Sequence, residues 1–160
     1  MAQLKRKDFA HYFDTSTTSE ANWVLEGIGV EALSLSYNPQ IDTFKQIIDD
    51  VASSTFDSYQ IQSSVSGKRI DKDDPIWKWL NEARKKAESI ETKMLEVNMA
   101  SGAGSGTLSY EALQYNVLIV INEFLGENAT ISYDVYVKGK PTVGSVTISS
   151  GKPTFTVSAD

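Results

Sequence analysis

The residues of this chain that could do chemistry are few and poorly grouped. One histidine, His11, lies in a polar opening stretch. A Ser-His-Asp triad would have to recruit its imidazole from there, and a solvated or structural histidine explains it with less. There is no cysteine, so disulfides, thiolate metal sites and cysteine nucleophiles are excluded. Asp71, Asp73 and Asp74 gather in "DKDDP", but a calcium loop of the EF-hand kind needs a longer ligand array ending in a bidentate Glu. Capping of a helix N-terminus accounts for the same carboxylates. Asp49 and Asp50 stand together in a turn, where Asp is favoured for local hydrogen bonds. "GAGSG" spaces Gly102, Gly104 and Gly106 as G-x-G-x-G, which is neither a dinucleotide fingerprint nor a Walker loop, and the chain beyond it soon becomes a strand. It reads as a flexible connector. The tryptophans, with Tyr110, Tyr115, Tyr133 and Tyr136, offer faces on which sugars or bases stack, yet aromatics at strand spacing and beside a helical stripe are first of all core. No catalytic, cofactor or metal constellation assembles, and the chain is expected to be a non-enzyme without a cofactor.

The scaffold has to be inferred from composition and pattern. At 160 residues the chain suits one domain, burying roughly two thirds of its unfolded surface. Its 41% apolar and 22% charged residues are those of a folded globule. A formal charge of −6 opposes tight binding to phosphate, so contact with DNA should be transient. The opening "MAQLKRKDFAHYF" has no apolar run behind its basic residues, and no stretch approaches the length of a membrane span.

Along the chain, residues 1–22 read as a polar arm anchored by Phe9, Tyr12 and Phe13, followed by a single domain over 23–160. Strand character begins at Trp23, with Leu33, Leu35 and Tyr37 on one face, and Asn38-Pro39 ends or bends it. "DTFKQIIDDVASSTFDSYQIQ" then predicts a long hairpin turning at "DDVASST". In its second arm Tyr59, Ile61, Ser63 and Val65 share one face, and Ser58, Gln60, Gln62 and Ser64 share the other. A single amphipathic helix is predicted over about 74–90, capped by Asp73 or Asp74 and opened by Pro75. Ile76, Leu80, Ala83, Ala87 and Ile90 form its apolar stripe, widened by Trp77 and Trp79. Strands return in "TKMLEVNM", "QYNVLIVINEF", "ATISYDVYV", "TVGSVTIS" and "TFTVSA", the last three separated by Gly-Lys-Pro turns at 139–141 and 151–153. Strands, one helix and more strands predict an α+β, mainly antiparallel domain.

The run "WVLEGIGVEALSLSYNPQIDTFKQIIDDVASSTFDSYQIQSSV", the helix opening "DDPIWKWLNEAR" and the later "ALQYNVLIVINEF" and "YDVYVKGKPTVGSV" together resemble the major tail proteins, or tail tube proteins, of long-tailed bacteriophages. Order and spacing carry the resemblance from about Trp23 to Val146. It implies a β-sandwich or half-barrel with one flanking helix and extended hairpins, forming hexameric rings that stack into a conduit for DNA. The inner tube of a contractile tail or tail-derived bacteriocin uses related subunits and is an equal implication.

On that resemblance, Asp42, Asp49, Ser58, Gln60, Gln62 and Ser64 are candidates for the lumen. Phe9, Tyr12, Phe13, Asp50, Ser53, Thr55, Gly102, Gly104 and Gly106 are candidates for contacts between rings or subunits. Ile76, Trp79, Leu80, Ala83 and Ala87 would pack the helix on the sheet. The implied partners are further copies of the chain, tail tip and tail terminator proteins, a tape measure protein, and DNA passing without specific binding; no membrane binding is expected. The place implied is the virion tail, assembled in the host bacterial cytoplasm. The rival from another class is a free-standing small β-domain binding carbohydrate or peptide through its aromatics.

Overall fold

Alternation of apolar and polar side chains runs through most of the chain, and strands are the outcome. The computed structural model describes residues 3–126 and 128–158. A short 3-10 turn, Arg6–Asp8, leads into β1 (Phe9–Asp14) and β2 (Trp23–Leu25). Then come β3 (Pro39–Phe44), β4 (Ser53–Tyr59) and β5 (Gln62–Arg69), the helix α1 (Pro75–Lys86), and the long strands β6 (Ile90–Ala103), β7 (Ser109–Phe124) and β8 (Thr130–Ser149), closed by β9 (Lys152–Val157). Every strand pairing among the described residues is antiparallel. The main sheet has seven strands in the order β2-β1-β6-β7-β8-β5, with β9 also on β8, and curls into a nearly closed, barrel-like shape. β8 takes β5 along its first half and β9 along its second. The expected α+β class, mainly antiparallel, is what the chain adopts.

Because successive side chains alternate, one strand serves two cores. Phe13, Met94, Tyr115 and Tyr133 lie in the larger cluster, beneath Ile76 and Leu80 of α1. Their neighbours Tyr12, Leu95, Val97 and Ala112 face the other way and meet Val146. Helix α1 is set as its residues dictate: Asp74 Oδ1 accepts from the Ile76 amide at 3.0 Å, and Pro75 occupies the first turn, where a missing N–H costs nothing. Trp79 packs tilted on Phe13 with ring centres 5.9 Å apart, and Trp77 stacks on Phe124 at 5.8 Å.

Four expectations need correction. The stretch expected to be an arm over 1–22 holds a core strand: β1 is an interior strand between β2 and β6, and Tyr12 and Phe13 are buried core residues. The polar "DTSTTSEAN" is the link from β1 to β2, drawn in by Asp14 Oδ1, which accepts from the amides of Ser16 and Asn22, both at 3.0 Å. Helix α1 stops at Lys86, because Ala87 turns into the left-handed region at φ 54 and Ile90 already belongs to β6; Ala87 is exposed and packs nothing on the sheet. Beyond β2 the segment carrying Leu33 and Leu35 is irregular, although Leu33 is buried. Gly139 to Pro141 is no turn but a bulge inside β8, lying between the pairs Gln114↔Thr142 and Asn116↔Lys138. The second Gly-Lys-Pro does turn, through Ser150 and Gly151, whose φ values are 52 and 76.

Candidate functional site

β3 and β4 make a two-stranded sheet of their own. Pro39 pairs with Tyr59 and Gln40 with Ser58; after a bulge, Ile41 pairs with Phe56, Asp42 with Thr55 and Phe44 with Ser53. This register puts Pro39, Ile41, Phe56 and Tyr59 on one apolar face, and Gln40, Asp42, Thr55 and Ser58 with Phe44 on the other. Neither face is buried. The connecting loop, residues 45–52, carries Ile47, which is fully exposed, and Ile48 and Val51, which are 83% and 79% exposed. Asp49 folds this tip by accepting from the Gln46 amide at 3.1 Å while donating its own amide to Gln46 at 3.0 Å.

The hairpin is rooted firmly at its base. Ser36 and Gln62 exchange backbone hydrogen bonds of 2.8 and 2.9 Å, and the Gln60 amide donates to Tyr37 at 3.0 Å. Asn38 turns the chain at φ 42, and its side-chain amide donates to the Gln60 carbonyl at 3.1 Å. Tyr37 meets Tyr59 edge to face at 5.5 Å, and Tyr59 meets Phe56 at 4.7 Å. Between this aromatic root and the β8 bulge lies an open cleft of about 420 Å³, lined by Phe56, Tyr59, Ile61, Val137, Lys140 and Pro141.

The structure brings the sequence candidates together only in part. Asp42 and Ser58 share the polar face of the hairpin, and Asp49 sits in its tip. Gln60 lies at the break between β4 and β5. Gln62 and Ser64 belong to β5, exposed, with Ser63 and Val65 buried on its opposite face. The second arm is therefore not one strand, and Ser58, Gln60, Gln62 and Ser64 form no single row. Asp50, Ser53 and Thr55 are exposed along the tip and β4. Phe9 is half-buried at the start of β1, while Tyr12 and Phe13 are inside the chain and offer nothing to a neighbour. Gly102 is the last residue but one of β6, and Gly104 and Gly106 lie in the loop to β7 with φ of 105 and 77. Of the helix candidates, Ile76 and Leu80 are fully buried and Trp79 and Ala83 partly so.

Two polar clusters escape sequence reasoning. Lys68 Nζ donates to Glu26 Oε1 at 2.6 Å and to the Ile28 carbonyl at 2.5 Å, and lies 2.8 Å from Asp74 Oδ2. Tyr133 donates its hydroxyl to Glu26 Oε2 at 2.5 Å. Burial pushes the Glu26 carboxyl above its ordinary value, against the opposing pull of Lys68 and Tyr133. Tyr133 is raised well above its own, by burial first and the Glu26 charge second. The second cluster surrounds His11, whose Nδ1 faces Arg6 Nη2 at 3.2 Å, while Nε2 lies 3.8 Å from Glu96 Oε2. Arg6 also donates to the Leu33 carbonyl at 3.1 Å, and Tyr115 donates to Glu96 at 3.2 Å. His11 chiefly, against burial, holds the Glu96 carboxyl below its usual range.

Among the described residues, no group of three or more His, Cys, Asp or Glu is arranged to hold a metal ion, and no helix is long and apolar enough to cross a membrane. No protein-family model matches the chain, and no curated protein matches its sequence. The geometry presents a hairpin anchored at its base, with exposed apolar side chains at its tip and along one face.

Proposed function

We propose that this chain is a structural subunit that self-assembles through its β3–β4 hairpin, and that the assembly is a tail tube of stacked rings serving as a conduit for DNA. The observation that carries this reading is the unburied hairpin. A lone two-stranded sheet is marginal in water, and this one leaves Ile41, Ile47, Ile48 and Val51 to solvent. A hairpin with that composition gains its stability from a surface outside its own chain, and further copies supply such a surface by symmetry. The polar face with Asp42, Thr55 and Ser58 then lines the passage, and −6 per chain repels the phosphate backbone, so DNA slides instead of sticking. The resemblance to tail tube proteins in order and spacing points the same way.

Electron microscopy and sedimentation of the purified chain over a range of concentrations test the reading. Rings or tubes are expected as concentration rises. A chain that stays single at high concentration removes the assembly and leaves the small binding domain in its place.

A further inference from the structure

The cluster at the end of β5 plays no part in the assembly proposed above, and its composition bears on a different reaction. Lys68 and Asp74 approach to 2.8 Å with side chains at most 1% exposed. In water, an amine and a carboxylic acid remain apart as ions because hydration stabilises both charges. A dry cavity removes that stabilisation and disfavours the charged forms.

The two oxygens of Asp74 are not equivalent. Oδ1 accepts from the Ile76 amide at the start of α1, whereas Oδ2 meets the Lys68 ammonium, at 2.8 Å. Glu26 meets the same nitrogen, but both of its oxygens are engaged, one by Lys68 and one by Tyr133. We propose that Lys68 and Asp74 condense spontaneously into an intramolecular isopeptide bond, with Glu26 as the acid–base relay.

The step balances without any outside reagent. The ammonium gives a proton to Glu26, which passes it to Asp74 Oδ2, leaving a neutral amine beside a neutral carboxylic acid. The Nζ lone pair then forms the bond to Cγ, and the π pair moves onto Oδ1, where the Ile76 N–H is already placed to stabilise the oxyanion. Glu26 takes the extra proton from Nζ and returns it to the Oδ2 hydroxyl. The Cγ–Oδ2 bond breaks with its electron pair and water leaves, while the Oδ1 pair restores the carbonyl. Ammonium and carboxylate have become an amide and one water, and Glu26 ends as it began. Confinement supplies the driving orientation, since the reacting groups are held together by strand, cap and core. The product has two fewer buried charges and ties the β5 bulge to the first turn of α1.

Mass spectrometry of the purified wild-type chain decides the matter. The intact denatured mass is expected to fall short of the sequence mass by one water. Trypsin should no longer cut after Lys68, and tandem spectra should show a branched species joining the peptides of Lys68 and Asp74. Glu26→Gln, which keeps a partner for Tyr133, should read the full sequence mass with wild-type circular dichroism. Where that chain does not hold its fold, Glu26→Asp serves instead, its shorter carboxylate slowing closure so that free and joined forms coexist. A wild-type chain at full sequence mass overturns the proposal, as does a water loss confined to one linear peptide. A branch from Lys68 to Glu26 overturns the choice of Asp74. Complete condensation in the Glu26 variant that holds its fold overturns the relay.

Discussion

Replacing Ile47, Ile48 and Val51 together by Ser should leave the single chain as stable as before and remove its capacity to assemble. These side chains are almost wholly in water, so the monomer has little of their burial to lose, and exposed substitutions of this kind stay within about 0.5 kcal/mol. In an assembly the same three positions matter differently. Fully burying an aliphatic side chain contributes roughly 1.5 to 3 kcal/mol, so three contribute about 6. Ordering the tip and imperfect packing take back a share. Taking half as what survives, about 3 kcal/mol per hairpin remains, equivalent to roughly a hundredfold rise in the concentration at which tubes appear. Urea unfolding of the dilute chain reads the first quantity, and pelleting with electron microscopy across a dilution series reads the second. Tubes at wild-type concentration would refute the role given to the tip. A monomer weakened by more than about 1 kcal/mol would show that the tip is packed within its own chain.

The geometry sets three further outcomes. Lys68→Met leaves the Glu26 and Asp74 carboxylates in the core without their cation and removes the proposed cross-link as well, so it should cost at least about 3 kcal/mol by urea unfolding at neutral pH, and a cost under about 1 would contradict the buried cluster. Ala87→Gly should stabilise by about 0.5 to 1 kcal/mol, because the left-handed conformation at φ 54 strains alanine and suits glycine; no gain in the urea midpoint would contradict that cap. Glu96 is lowered chiefly by His11, and Asp14 is lowered because hydrogen bonds from Ser16 and Asn22 outweigh the burial that alone would raise it. Depressed carboxyls stabilise the fold above their unfolded values, about 4, and lose that contribution as pH falls through the folded ones. Glu26, being raised, acts with the opposite sign, contributing below its unfolded value and losing that contribution as pH rises through the folded one. The urea midpoint should therefore drop on acidification, less steeply in His11→Ala than in wild type, and equal slopes would remove His11 from the account.

Parts of this architecture are written locally and parts are not. The start of α1 depends on Asp74 and Pro75 acting on their own neighbours, and such signals survive in any tertiary context. The inward and outward rows of β5, Ser63 and Val65 against Gln62 and Ser64, likewise follow from alternation. β1 is illegible in isolation because its six residues gain strand character only from β2 and β6 on either side. Treating the hairpin arm as one strand overlooks the break at Gln60 and Ile61, which answers to Tyr37 and Asn38 far earlier in the chain. Lys68 is hidden by a change of parity. Val65 pairs with Tyr133, but after the irregularity at Ser66 and Gly67 it is Lys68 that pairs with Ile131, so a residue expected outside is carried in. Gly67, at φ 66, is the available signal, since glycine inside a strand often marks a bulge.

The interior position of β1 also sets a timetable. During synthesis Phe9 has to wait for Asn98 before its ladder with β6 can form, and until then β1 has only the three-residue β2, which pairs with Tyr12 to Asp14. Chains dominated by such distant pairings fold slowly. Tyr12 and Phe13 thus spend the interval uncovered on the nascent polypeptide, while the apolar hairpin tip has already emerged. Productive folding and premature clumping compete over that interval, which makes a holdase, or a slower ribosome, the natural ally of a good yield.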